Sequence, residues 1–185
     1  MFFQGLALLI WLCLSETGKW TVKSNDAYAL EGAAAAYCNG FIYIIGGKNN
    51  DTYNVNFYRT NTSFSGTSTL LLPDGYTSAS YSTLTNVGSG LLLVGGEYNG
   101  TVLSKVYFFS PSTGWDNISR ELPDSATLQK HCAASIPSGE YVLIYGGINN
   151  KSVESNTLYI CRKSLSFVLT HFLSSILPFT LSFFR

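Results

Sequence analysis

Three stretches decide how this chain folds: FIYIIGG at 41–47, LLLVGG at 91–96 and YVLIYGG at 141–147. Each is a leucine-rich or β-branched run closed by two glycines. The leading glycines, Gly46, Gly95 and Gly146, are spaced by 49 and 51 residues. Two near-equal spacings of one pattern indicate an internal repeat with a period of about fifty residues.

The match extends on both sides of the glycines. GAAAAYCNGFIYIIGG (32–47) aligns with CAASIPSGEYVLIYGG (132–147) without a gap. A run of small residues leads to a turn, Asn39-Gly40 or Ser138-Gly139, and then to the apolar run. The middle copy, YSTLTNVGSGLLLVGG (81–96), is more polar but keeps its turn at Gly88-Ser89-Gly90. Each copy therefore reads as a β-hairpin, with a second strand so continuously apolar that burial on both faces is expected. Downstream, Tyr58, Tyr107 and Tyr159 sit in the strand-like runs VNFYRT, KVYFFS and TLYI. After the middle run, the turn at 110–114 leads to Trp115 and the strand-like WDNIS. That makes four short antiparallel strands per unit. The first unit has only Phe64 and Gly66 where a tryptophan is due, so its fourth strand is poorly defined. Trp20-Thr21-Val22 reads as a fourth strand lacking its predecessors.

The segment KVYFFSPSTGWDNISRELPDSATLQKHCAASIPSGEYVLIYGG (105–147) resembles a Kelch repeat along its length, with Tyr107, Trp115, His131 and Gly146-Gly147 in the family's order. The likeness covers roughly 20–160, and Kelch repeats are assigned to 19–163. It implies an all-β fold, a partial Kelch-type β-propeller of about three four-stranded blades. Propellers close with about four to eight blades, so a truncated product, or assembly with other chains, is expected. The resemblance also gives roles. The glycine pairs remove side chains so that a neighbouring ring can press on the backbone, and Trp115 is the ring at one junction between blades. Tyr58, Tyr107 and Tyr159 are core residues. His131 is a hydrogen-bonding structural group, with ligand binding as the alternative.

Composition bears on compartment and partners. Charged residues are 12% of the chain and aromatic residues 15%, with no net charge, so nothing attracts nucleic acid. FFQGLALLIWLCLS (2–15) is apolar apart from Gln4 and Ser15, and Cys13 and Ser15 suit the −3 and −1 positions of a cleavage site. Residues 1–15 are read as a signal peptide, and the protein as secreted. Asn50, Asn61, Asn99, Asn117 and Asn150 lie in glycosylation sequons. Asn50, Asn99 and Asn150 each follow a glycine pair by three residues, which puts sugars on one rim. Removal of the signal leaves Cys38, Cys132 and Cys161. An odd count leaves an unpaired thiol, an intermolecular bridge or a missing partner, and the pairing of any one disulfide stays open.

The tail at 164–185 matches nothing earlier. It is read first as an aberrant read-through. The alternatives are an anchor at the cell surface, disfavoured because Arg162-Lys163 precede the apolar stretch, and a packed terminal element. The function expected is an extracellular binding module for a protein or glycan partner, not an enzyme, with no cofactor and no metal. A fragment of a propeller enzyme, resembling galactose oxidase or one acting on sialic acids, is the alternative. His131 and His171 are the only histidines for a copper site. A non-functional truncated isoform is a third reading.

Overall fold

The structure is a computed structural model and describes residues 30–63, 66–116, 120–136, 139–162, 169–172 and 181–184. Residues 1–15, read above as a signal peptide, and Trp20-Thr21-Val22, Phe64, Asn117 and Ser138 lie outside the described residues.

Local sequence sets the hairpins. β1 (Glu31–Cys38) and β2 (Phe41–Asn49) pair antiparallel around Asn39-Gly40, whose φ angles of 49° and 86° belong to the tight turn matching strand twist. β3 (Thr52–Tyr53) returns along the end of β2, and β4 (Phe57–Asn61) and β5 (Thr67–Leu70) complete the first sheet in the order β1-β2-β4-β5. The first unit thus has a fourth strand, where its sequence left it poorly defined. Backbone pairing of Thr67–Leu70 with β4 suffices without a tryptophan.

The second sheet repeats the pattern as β6 (Thr83–Val87), β7 (Gly90–Val94), β10 (Lys105–Ser110) and β11 (Gly114–Trp115). Of the run WDNIS, β11 takes in Trp115 and Asp116 lies past its end, while residues 117–119 lie outside the described ones; β12 (Arg120–Glu121) pairs separately with β10. β8 (Glu97–Tyr98) and β9 (Thr101–Val102) form a small hairpin of their own. The third sheet holds β13 (Cys132–Ser135), β14 (Tyr141–Tyr145) and β15 (Leu158–Arg162), all antiparallel. The strands of the repeats are antiparallel as expected; the other strands of this sheet come from the tail, and one of them departs from that arrangement. β17 (Leu181–Phe184) runs parallel to β15, with β16 (Leu169–Phe172) antiparallel beyond it. The tail's backbone therefore extends a sheet. Among the described residues, no helix is long and apolar enough to cross a membrane.

The three tyrosines hold one register: Ile44 faces Tyr58, Leu93 faces Tyr107 and Ile144 faces Tyr159. The first strands lie side by side, β6 between β1 and β13. Two cores fill the junctions. Tyr43, Ile45 and Phe57 meet Leu91, Leu93 and Phe109 between the first and second sheets. Leu92 and Val94 meet Val142, Ile144 and Tyr159 between the second and third. Burial on both faces holds for the whole of β7, because among the described residues only the middle sheet has a neighbour on each side; β14 alternates, as does β2 over 41–45. The fold is all-β, of open, chiefly antiparallel sheets, and no sheet is closed on itself.

Candidate functional site

The site lies where the chain enters each inner strand. At equivalent positions 49 residues apart stand Gly32, Tyr81 and Lys130, all left-handed, with φ of 69°, 59° and 56°. The Tyr81 amide donates to the Gly32 carbonyl at 2.7 Å, and the Lys130 amide donates to the Tyr81 carbonyl at 3.0 Å. This chain of bonds crosses from sheet to sheet and fixes the three entries side by side. Glycine tolerates the conformation, whereas a tyrosine or lysine pays about 1–2 kcal/mol for it. Gly32 also has to lack a side chain, because a Cβ there would lie 2.8 Å from Cδ1 of the Tyr81 ring.

The left-handed backbone aims Tyr81 among charges. The Lys130 Nζ lies 4.7 Å and the Lys48 Nζ 5.6 Å from its ring centroid, so two ammonium groups share one aromatic ring. The Tyr81 hydroxyl donates to Glu31, and that bond, with burial and the Glu31 charge adding to it, raises its pKa to about 12. Beside it, Glu97 is only 8% exposed. It accepts hydrogen bonds from the Tyr53 hydroxyl at 2.8 Å, from Ser80 Oγ at 3.2 Å and from the Gly100 amide, with Lys48 Nζ at 4.0 Å. Burial opposes its ionised form, but these four groups outweigh it and hold the carboxyl below its usual range. Tyr53 also accepts from the Asn99 amide at 2.9 Å, and its ring packs 4.8 Å from that of Tyr98. The result is a continuous patch of Tyr53, Tyr81, Tyr98, Lys48 and Lys130 over a fixed carboxylate.

The residues singled out from sequence fall elsewhere. Trp115 does sit at a junction: its ring centroid lies 5.1 Å from those of Phe57 and Phe109, and Nε1 donates to the Leu71 carbonyl at 2.9 Å. It does not press on the glycine pairs. A Cβ on Gly46 would meet the Ala79 carbonyl oxygen at 2.2 Å, and one on Gly95 the Leu128 carbonyl oxygen at the same distance. Backbone closes over each, with the Cε1 edge of the His131 ring 3.2 Å from the would-be Cβ at Gly95. Gly47 and Gly96 then donate their amides to those same carbonyls, at 2.9 and 2.8 Å. At Gly147 a Cβ would lie 2.6 Å from the Gln129 carbonyl oxygen, and Gly146 faces open space. Tyr107 and Tyr159 are buried; Tyr58 is half-buried, its hydroxyl accepting from Asn56 Nδ2 at 2.9 Å.

Asn50 and Asn99 occupy tight turns at φ of 52° and 49° and, like Asn150, are exposed, while Asn61 is half-buried. Cys38 and Cys161 are buried in separate cores, Cys132 is exposed, and none of the three forms a disulfide. Burial raises the Cys161 pKa to about 12, which keeps it an inert thiol.

His131 is buried, with Nε2 2.8 Å from Thr83 Oγ1 across the junction between second and third sheets. Its Nδ1 is buried without a hydrogen-bond partner. Burial lowers its pKa to about 4 from an ordinary 6.5. Neutral His131 therefore contributes stability that is fully present above pH ~6.5 and lost as pH falls through ~4, up to about 3 kcal/mol. Urea unfolding followed between pH 7.5 and 4 is expected to show that loss, and His131→Gln to flatten the slope by about the same amount. Among the described residues, no group of three or more His, Cys, Asp or Glu stands together to hold a metal.

No family model matches the chain, and no curated protein matches it.

Proposed function

We propose that this chain is an exported Kelch-type propeller module that binds a protein or glycan partner through the patch around Tyr81. The observation that carries the binding surface is Tyr81 itself. It is held in a backbone conformation that costs free energy, where the equivalent residue of the first unit is glycine, and its ring is set between two lysines. Such cost is retained where a side chain has to be presented in one direction. Partly exposed tyrosines are also residues that recognition sites favour. The propeller reading is supported by three successive sheets of one register whose first strands adjoin. Export is supported by the apolar leader and by the exposed, repeat-phased Asn50, Asn99 and Asn150.

The test uses chain secreted by a eukaryotic cell, recovered from the medium with its sugars. It is applied to an array of neutral, sialylated and sulfated oligosaccharides and to a panel of purified extracellular proteins, alongside Tyr81→Gly. Glycine adopts the same backbone at no cost, so the variant is expected to fold as well as the parent and to bind at least ~10-fold more weakly. A panel in which nothing binds, or in which both proteins bind alike, rejects the proposal.

A further inference from the structure

The two outer faces of the stack repeat the faces that its inner junctions bury. Toward the second sheet, the first presents Tyr43, Ile45 and Phe57, all buried. Their equivalents in the third sheet are Leu143, Tyr145 and Leu158, which meet no further sheet among the described residues; Tyr145 is 45% exposed. At the other end, Ile42, Ile44 and Tyr58 are the equivalents of Val142, Ile144 and Tyr159, the residues with which the third sheet packs on the second. Ile42, Ile44 and Tyr58 are only half-buried, and Tyr37 beside them is 57% exposed. Among the described residues, no polar outer face of the kind that keeps stacked repeats apart caps either end.

We infer that these two faces dock head to tail between two copies of this chain, each supplying its three described sheets to a ring of six. The two faces differ, so the contact is heterologous, and such contacts close into a ring when the rotation allows. Complementarity is inherited, since each face matches one that already packs against the other's counterpart twice within the chain. Closure at two copies rests on the propeller reading: six sheets fall within the range of about four to eight in which propellers close, and nine do not. The docking itself rests on the repeat alone.

The equivalence also places one residue pair. Thr83 and His131 touch across the second junction. Their equivalents across the intermolecular junction are Cys132 of one copy and Ala33 of the other, both exposed. With a short bismaleimide, which spans the reach of the Thr83–His131 contact that a disulfide would not, Ala33→Cys is expected to give a covalent dimer that disappears in the Ala33→Cys/Cys132→Ser double variant. By sedimentation equilibrium, the secreted chain is expected at twice its own polypeptide mass as read under denaturing conditions, after removal of any sugars. Tyr145→Arg, at an exposed position that leaves folding intact by circular dichroism, is expected to weaken the dimer at least ~10-fold. A monomer at every concentration, or no cross-link, overturns the docking. A series of species growing with concentration overturns the two-copy ring. Neither outcome depends on the oligosaccharide and protein panel that tests partner binding.

Discussion

Gly95→Ala is expected to destabilise the chain by about 4 kcal/mol or more. Three costs combine. A residue with a side chain at φ 58° pays about 1–2 kcal/mol for the left-handed backbone. The new Cβ would lie 2.2 Å from the Leu128 carbonyl oxygen, and because that neighbour is backbone the two sheets have to separate. Their separation stretches the 2.8 Å bond from the Gly96 amide to the same carbonyl, removing about 1 kcal/mol more. Gly146 supplies the control. It occupies the equivalent position at φ 75°, yet nothing lies within 4 Å of its would-be Cβ, so Gly146→Ala is expected to cost only about 1–2 kcal/mol. Urea unfolding read by tryptophan fluorescence, at a concentration where the chain is monomeric, measures both. Equal losses would mean that the close approach of the neighbouring sheet is not what the glycine serves.

Phe57→Ala is expected to cost about 3–5 kcal/mol, the range for a large aromatic side chain removed from a closed core. Phe57 is 0% exposed, and its ring centroid lies 5.7, 5.0 and 5.1 Å from those of Tyr43, Phe109 and Trp115. Two of those partners belong to the second sheet, so the cavity opens at the junction. In a stack where each unit contacts only its neighbours, weakening one junction uncouples one unit. Hydrogen exchange is therefore expected to speed up in β1–β5 well before β13–β15. Uniform acceleration along the chain would show instead that the three sheets unfold as one.

The glycine-pair repeat and its hairpins were legible because their causes are local. Positive φ selects glycine or asparagine, and a buried strand needs an apolar run. The tyrosine register was legible for the same reason, since Tyr58, Tyr107 and Tyr159 keep nearly constant distances from the glycines. What the sequence hid are effects between units. The carbonyls of Ala79 and Leu128 that close over Gly46 and Gly95 carry no signal in residue type, because every residue has a carbonyl. β5 was missed because four threonine- and serine-rich residues gain their place from β4's unpaired edge. The tail strands were missed because β17 pairs parallel, which no hairpin turn announces. The site itself was the least visible. Tyr81 aligns with a glycine and a lysine, and its meaning rests on a backbone angle that spacing does not reveal. Spacing points elsewhere: the glycine pairs set Cys132, two residues beyond Lys130, opposite Tyr81, and only the strand register brings 32, 81 and 130 together.

The amide of Asn150 has a further consequence. Its Oδ1 accepts from the Val102 amide at 3.2 Å, while the main-chain nitrogen of Asn150 donates to Thr127 Oγ1 at 3.0 Å. A saccharide joined through Nδ2 would leave both bonds in place, so its stem would start from a clamped root instead of a swivelling one. The carbohydrate would then sweep a narrow cone over the seam between two repeats and shield the 148–154 bend from proteases, acting as a fixed awning rather than a loose brush.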